Sequence, residues 1–198
     1  MSSHAPQGSG AGDQLRHMLG ESGEPRWSPV AGGDIHGAWR VELDGRSWFV
    51  KTNRPAAQPL LTAERQALEK LAQARTLRVP EPVAEGRDAV ASWLIMEFLD
   101  LHRTGDAQAL GRGLAALHQQ AGPAYGWDED NFIGTTPQYN GWLEDWSDFW
   151  WTRRLEPQLR MAADRGPGRG LLQKFRGLEA TVGNALEGHH PAPSLLHG

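Results

Sequence analysis

A chain of 198 residues, 39% hydrophobic and 22% charged, can hold one full domain, or one small domain and part of a second, with the composition of an ordinary globular protein. Its net charge of −4 gives no attraction to nucleic acid or an anionic membrane, and no apolar run reaches bilayer length. The absence of cysteine excludes disulfides, thiolate metal sites and a catalytic thiol, and suits a cytoplasmic protein.

Residues 1–24 are rich in Ser, Gly, His and Gln and lack the apolar stretch of a secretory signal, so they read as a flexible tail. Trp39 to Leu43 then alternates apolar and polar side chains, the pattern of a half-buried strand. Asp44-Gly45 supplies a two-residue turn that accepts positive φ, and Ser47 to Lys51 returns as the second strand of a hairpin. From 59 to 75 the period becomes helical, with Leu60, Leu61, Ala67, Leu68, Leu71 and Ala72 on one stripe. Pro80 and Pro82 break that pattern. Residues 89–99 are nearly continuously apolar and read as a central strand ending in a connector.

Beyond Asp100 the chain turns helical. Ala107, Leu110, Leu114 and Leu117 form one stripe, weakened by Gly111 and Gly113 at about 1 kcal/mol each. Residues 125–142 are irregular and dense in Gly, Asp and Asn. A second helix is predicted over 145–154, closed by Pro157, and a third over 171–186. The pattern is α+β: a β-rich lobe with one helix over 25–99, joined near Glu97 to a helical lobe over 100–198.

Only three of the 20 basic residues are lysine, so a lysine in an apolar setting needs a reason. Lys51 ends an apolar strand. Glu64 lies on the apolar stripe of the next helix, four residues from both Leu60 and Leu68. A carboxylate facing a neighbouring layer is costly unless paired or protonated. A strand lysine fixed by a helix glutamate is how protein-kinase-like enzymes hold the α- and β-phosphates of ATP. The alternative is that both groups are solvated at the edges of their elements.

Gly32-Gly33-Asp34-Ile35 precedes the hairpin and could let backbone amides approach phosphate. Glu97, Phe98 and Leu99 stand where a kinase hinge would meet adenine, or form a plain connector. Trp142, Trp146, Phe149, Trp150 and Trp151 could stack on a sugar, but spacings of three and four favour core packing. His36, His102 and His118 are isolated, His189-His190 has no third ligand nearby, and no side-chain metal site is visible.

Together these segments resemble the fructosamine (ketosamine) kinase family, of aminoglycoside-phosphotransferase-like, protein-kinase-like fold. The resemblance covers roughly residues 28–198. Its most specific stretch is Tyr125-Gly126-Trp127-Asp128-Glu129-Asp130-Asn131-Phe132-Ile133-Gly134, continuing through Gln138, Asn140-Gly141-Trp142, Asp145-Trp146, Arg153-Arg154-Leu155 and Pro157-Gln158-Leu159. The family implies a two-lobe kinase that uses ATP and Mg²⁺ to phosphorylate the sugar of free or protein-bound ketosamines, typically at O3. A kinase for another hydroxylated amine, of aminoglycoside or choline type, is the alternative on the same scaffold.

On this resemblance Lys51 would hold ATP phosphates, Glu64 would position Lys51, Gly32 and Gly33 would form the nucleotide loop, and Glu97 to Leu99 the hinge. Trp127, Asp128, Asn131 and Trp142 would shape the acceptor side. Asp34 stands where some relatives carry cysteine. The family's catalytic base follows the motif that His197-Gly198 begins. The helical lobe is therefore expected to be incomplete in a partial or frameshifted sequence, and the chain itself to be inactive or a nucleotide-binding fragment. The resemblance leaves the oligomeric state open.

Overall fold

The structure, a computed structural model, describes residues 10–33, 35–102, 104–165 and 169–197. The chain divides into two compact units, Met1–Leu114 and Ala115–Gly198.

The first unit opens with helix α1 (Gly10–Leu19), followed by strands β1 (Arg26–Pro29), β2 (Gly37–Leu43) and β3 (Arg46–Asn53). A 3-10 turn (Pro55–Ala57) leads into α2 (Gln58–Ala74), then β4 (Pro82–Arg87) and β5 (Ser92–Glu97). The strands form one antiparallel sheet in the order β1-β2-β3-β5-β4. Asp44 and Gly45 close the β2–β3 hairpin with φ of 47° and 79°, the paired positive values that match strand twist. Arg75 in the left-handed region ends α2. β5 is central and buried from Ser92 to Met96, which explains its unbroken apolar run.

One face of the sheet carries Trp39, Val41, Val50, Trp93 and Ile95, packed with Ala11 and Leu15 of α1. The other face places Leu94 and Met96 against Leu61 of α2. Inside the first core the Trp39 indole donates to Thr52 Oγ1 at 2.9 Å.

Residues 10–19, read from sequence as part of a flexible tail, are thus a helix on the core. Its apolar positions are few and its composition polar, but Leu15 is fully buried, the Gly10 N–H donates to Asp88 Oδ2 at 2.6 Å, and the Trp93 indole donates to Gln14 Oε1 at 2.5 Å. Strands β1 and β4 also escaped the sequence pattern. Both flank the sheet and contain proline, which edge strands tolerate.

Helix α3 (Ala107–His118) crosses the division between units, which falls later in the chain than the break near 99–100. Gly113 has a packing reason: a Cβ there would lie 2.3 Å from Leu77 Cδ2. The second unit then carries the short hairpin β6 (Asn131–Ile133) and β7 (Thr136–Gln138) within the segment read as irregular. Helix α4 (Trp146–Phe149) is capped by Asp145, whose side chain accepts from the Asp148 N–H at 2.9 Å.

The helix does not stop at Pro157. A π-helical stretch (Trp150–Leu155) leads directly into α5 (Glu156–Asp164), with Pro157 in its first turn, where a missing N–H costs little. The predicted third helix is two, α6 (Arg169–Arg176) and α7 (Glu179–Leu186), separated at Gly177 and Leu178.

Burial of α1 has a measurable consequence. Leu15→Ala should cost about 2–5 kcal/mol, read as a fall in the urea midpoint at constant slope. A change below about 0.5 kcal/mol would mean that α1 does not belong to the core.

Candidate functional site

Lys51 and Glu64 meet. The Lys51 ammonium donates to Glu64 Oε1 at 2.5 Å, joining β3 to α2 with both side chains 27% exposed. Lys51 sits opposite Ala38 in β2 and Leu94 in β5, so its strand is flanked on both sides and its stem is held in place. Glu64 is presented by a helix fixed through Leu61 on the sheet and through Arg65, which reaches Glu85 of β4 at 3.3 Å. One of the three ammonium protons is occupied by Glu64.

The glycine loop lies between β1 and β2. Gly32 and Gly33 have φ of 116° and 89°, and a Cβ at either would meet nothing within 4 Å. Asp34 lies outside the described residues. The loop is tied to the same strand as Lys51, because Asn53 Nδ2 donates to the Ile35 carbonyl at 3.0 Å. Asn53 is also 2.9 Å from His36 Nδ1, which places the imidazole half-buried beside the pair.

His36, which the sequence leaves isolated, thus belongs to this cluster. Burial pushes its pKa below the ordinary value, with opposing influences from Glu64, which favours the cation, and Lys51, which disfavours it. The sequence signal available for Asn53 was its position two residues after Lys51 on one strand, hence the same face.

At the connector, Glu97 ends β5 opposite Trp48, its N–H donates to the Glu81 carbonyl at 2.8 Å, and its carboxylate pairs with Arg78. The Arg40 guanidinium lies over the Phe98 ring at 4.8 Å, and Leu99 is half-buried.

The second unit brings the residues of the specific stretch together. Trp142 Nε1 donates to Asp128 Oδ1 at 3.2 Å, and the Trp127 carbonyl accepts from the Gly141 N–H at 3.3 Å. Asn140, almost fully buried, is the hub. Its backbone N–H donates to Asp130 Oδ1 at 2.7 Å, and its Nδ2 donates to the Glu129 carbonyl at 2.9 Å and to Asn131 Oδ1 at 3.0 Å. Its Oδ1 accepts from Arg154 Nη2 at 2.7 Å. Gln138 Nε2 also donates to Asn131 Oδ1, so that side chain holds the hairpin as well. Gly126, at φ 144°, packs so closely that a Cβ would lie 2.5 Å from the Gly141 carbonyl oxygen.

Of the tryptophan-rich helix, Trp146 and Phe149 pack with Tyr125 at centroid distances of 5.1 and 6.2 Å, while Arg154 covers the Phe149 ring at 4.5 Å. Tyr125 and Phe149 are buried, and Trp146 is half-buried against them. Trp142 and Trp150 remain 41% and 40% exposed and are the two rings of the cluster open to a ligand.

His197 stacks on His118 with centroids 5.3 Å apart, while Gly198 lies outside the described residues. Among the described residues no group of three or more His, Asp or Glu side chains is placed to hold a metal ion, and no helix is long and apolar enough to cross a membrane.

A family model described as "Fructosamine kinase" matches residues 11–198. The chain belongs to the fructosamine kinase family. Similar family members include a "Probable ketoamine kinase" of Klebsiella aerogenes, 39% identical over 85% of this chain and 59% of that protein. A chloroplastic "Protein-ribulosamine 3-kinase" of Arabidopsis thaliana is 38% identical over 85% of this chain and 53% of that protein. Among solved structures, a "Putative fructosamine-3-kinase" of Haemophilus somnus 129PT superposes with a TM-score of 0.82 at 26% identity, covering 94% of this chain and 64% of that one. This chain therefore spans between half and two thirds of the length of these relatives, and the α+β class read from its sequence is the class it adopts.

Two measurements follow from this geometry. Folding lowers the His36 pKa, so the unfolded chain binds more protons just below the ordinary histidine value of about 6.5. The stability contributed by neutral His36 is full above that pH and lost as pH falls below it. Urea midpoints across the acid side of neutrality should thus vary less with pH in His36→Asn, and an unchanged slope would contradict the placement. In the second unit, Asn140→Ala should cost about 2–4 kcal/mol, because it strands the buried end of Arg154 and two acceptors. A thermal melt of that unit within 1 °C of the parent's would contradict the hub assignment.

Proposed function

We propose that this chain carries the nucleotide-holding part, and a share of the acceptor-binding part, of an ATP-dependent kinase that phosphorylates the sugar of glycated amines. The observation that carries this reading is the Lys51–Glu64 pair at 2.5 Å, on the strand whose Asn53 anchors the glycine loop. Glu64 aims the ammonium. Its remaining protons are directed at α- and β-phosphate oxygens, where positive charge stabilises the nucleotide in a reactive pose. Backbone amides of Gly32 and Gly33 approach the phosphates without obstruction from a side chain.

The Glu97 N–H is already used, so adenine would be read by main-chain groups further along, at Phe98 and Leu99. A Mg²⁺ ion bound with ATP would neutralise phosphate charge. On the acceptor side Trp142, fixed through Asp128, offers an exposed indole face to a sugar, while Trp127 and Asn131 hold the loop that presents it.

The names of the relatives, ketoamine kinase and ribulosamine 3-kinase, support a ketosamine as acceptor and transfer to its O3 hydroxyl. Phosphorylation there would destabilise the adduct and favour repair of the glycated amine. The reading also supports a cytoplasmic protein acting on small or protein-bound ketosamines.

The test is transfer of labelled phosphate from ATP to fructosyl-lysine by the full-length protein, beside ribulosyl-lysine, kanamycin and choline. Turnover is expected with a ketosamine. Lys51→Met and Glu64→Gln should each lower kcat/KM by about 100-fold or more without loss of fold. Turnover of kanamycin or choline with none of either ketosamine would replace the acceptor, and full activity in Lys51→Met would remove the site.

A further inference from the structure

A second site lies wholly within the second unit. A cavity of about 340 Å³ opens between the β6–β7 hairpin and the helix running from Trp150 into α5. That size suits a small organic molecule. Its wall includes Tyr139, Trp150, Arg153, Arg154, Pro157 and Gln158, and none of the described residues lining it is Asp or Glu.

Two guanidinium groups side by side with no carboxylate between them is an unusual arrangement. Arg154 is held by the protein, donating to the Tyr139 carbonyl at 2.7 Å, the Asn140 carboxamide at 2.7 Å and the Arg153 carbonyl at 3.0 Å. All of these partners are neutral. Burial and the neighbouring Arg153 charge both act against its cation, lowering its pKa from the ordinary value. The acid on this stretch of helix, Glu156, pairs instead with Arg160 at 2.7 Å.

Arg153 is different. Its guanidinium packs over Gly141, where a Cβ would lie 3.6 Å from Nη2, and its buried Nε has no hydrogen-bond partner among the described residues. The Arg153 side chain also lines the cavity, where no described lining residue is acidic, so an arriving anion would give its cation a partner. The planar guanidinium matches a two-oxygen acceptor, and the neighbouring Trp150 face, backed by Trp146 at 5.9 Å, offers a rigid apolar surface for what the anion is attached to.

We propose that this cavity binds a small organic carboxylate, its oxygens on Arg153 and its ring or chain against Trp150. The inference rests on the second unit alone and does not depend on the kinase reading. A carboxylate and an inorganic oxyanion share the guanidinium chemistry, and the apolar wall favours the organic source.

The test is calorimetric titration of the 198-residue chain with hippurate, with its neutral amide hippuramide, and with inorganic phosphate. Hippurate is expected to bind at least about tenfold more tightly than either of the others. Arg153→Gln should abolish that preference while keeping a cooperative thermal melt, since no ion pair among the described residues uses Arg153. Trp150→Ala should weaken hippurate about tenfold and leave phosphate unaffected. Equal binding of acid and amide, no binding of hippurate, or indifference to Arg153→Gln would each overturn the site. Phosphate binding as tightly as hippurate would overturn its organic ligand class.

Discussion

The first unit is organised by the need to pair one charge. Lys51 follows the apolar run Trp48-Phe49-Val50 of β3 and Glu64 leaves the apolar stripe of a helix, each a liability unless it finds the other. Meeting that need fixes the distance between α2 and the sheet, since a lysine and a glutamate side chain together can span only a limited gap. Leu61, Leu94 and Met96 pack within that gap, and Arg65 with Glu85 extends the same charge matching to the edge strand. Pairing two groups that stay partly exposed adds little stability by itself. Its value is positional: it holds an ammonium at a known place relative to the glycine loop, which the Asn53 carboxamide ties to the same strand.

The second unit solves a different problem. Residues 125–142 have little regular structure, so their backbone groups need side-chain partners. Asn140 supplies several at once, using both ends of its carboxamide and its own N–H, and Arg154 closes the network from the helix. The π-helical stretch matters here. It changes the angular spacing of Arg153 and Arg154 relative to Phe149, so that Arg154 can cover that ring while reaching Tyr139 and Asn140. The motif residues of the family stretch are thus mostly structural, and the rings left open are Trp142 and Trp150.

The same division separates what was legible from what was not. The β2–β3 hairpin, α2 and β5 were readable because period, turn chemistry and burial agreed over each segment. Helix α1 was not, because its few apolar residues look like a tail until the Trp93 and Ile95 face is there to cover Leu15. The break of the second helix at Pro157 was misread because a proline in a first turn ends nothing. His36 seemed isolated because its neighbours come from β3 and α2, 17 and 28 positions along the chain.

The sequence by itself determined which residues had to be paired: a lysine in an arginine-writing chain and a glutamate on an apolar stripe. Periodicity also determined that a sheet carrying α2 precedes a helical segment, while α1 escaped it. Tertiary structure alone decided the partners, because hydrogen bonds and ion pairs form between elements whose relative placement no local pattern encodes. It made Asn140 a hub, put His36 beside Lys51 and Glu64, and placed Arg153 in the wall of a cavity with no described acidic residue beside it.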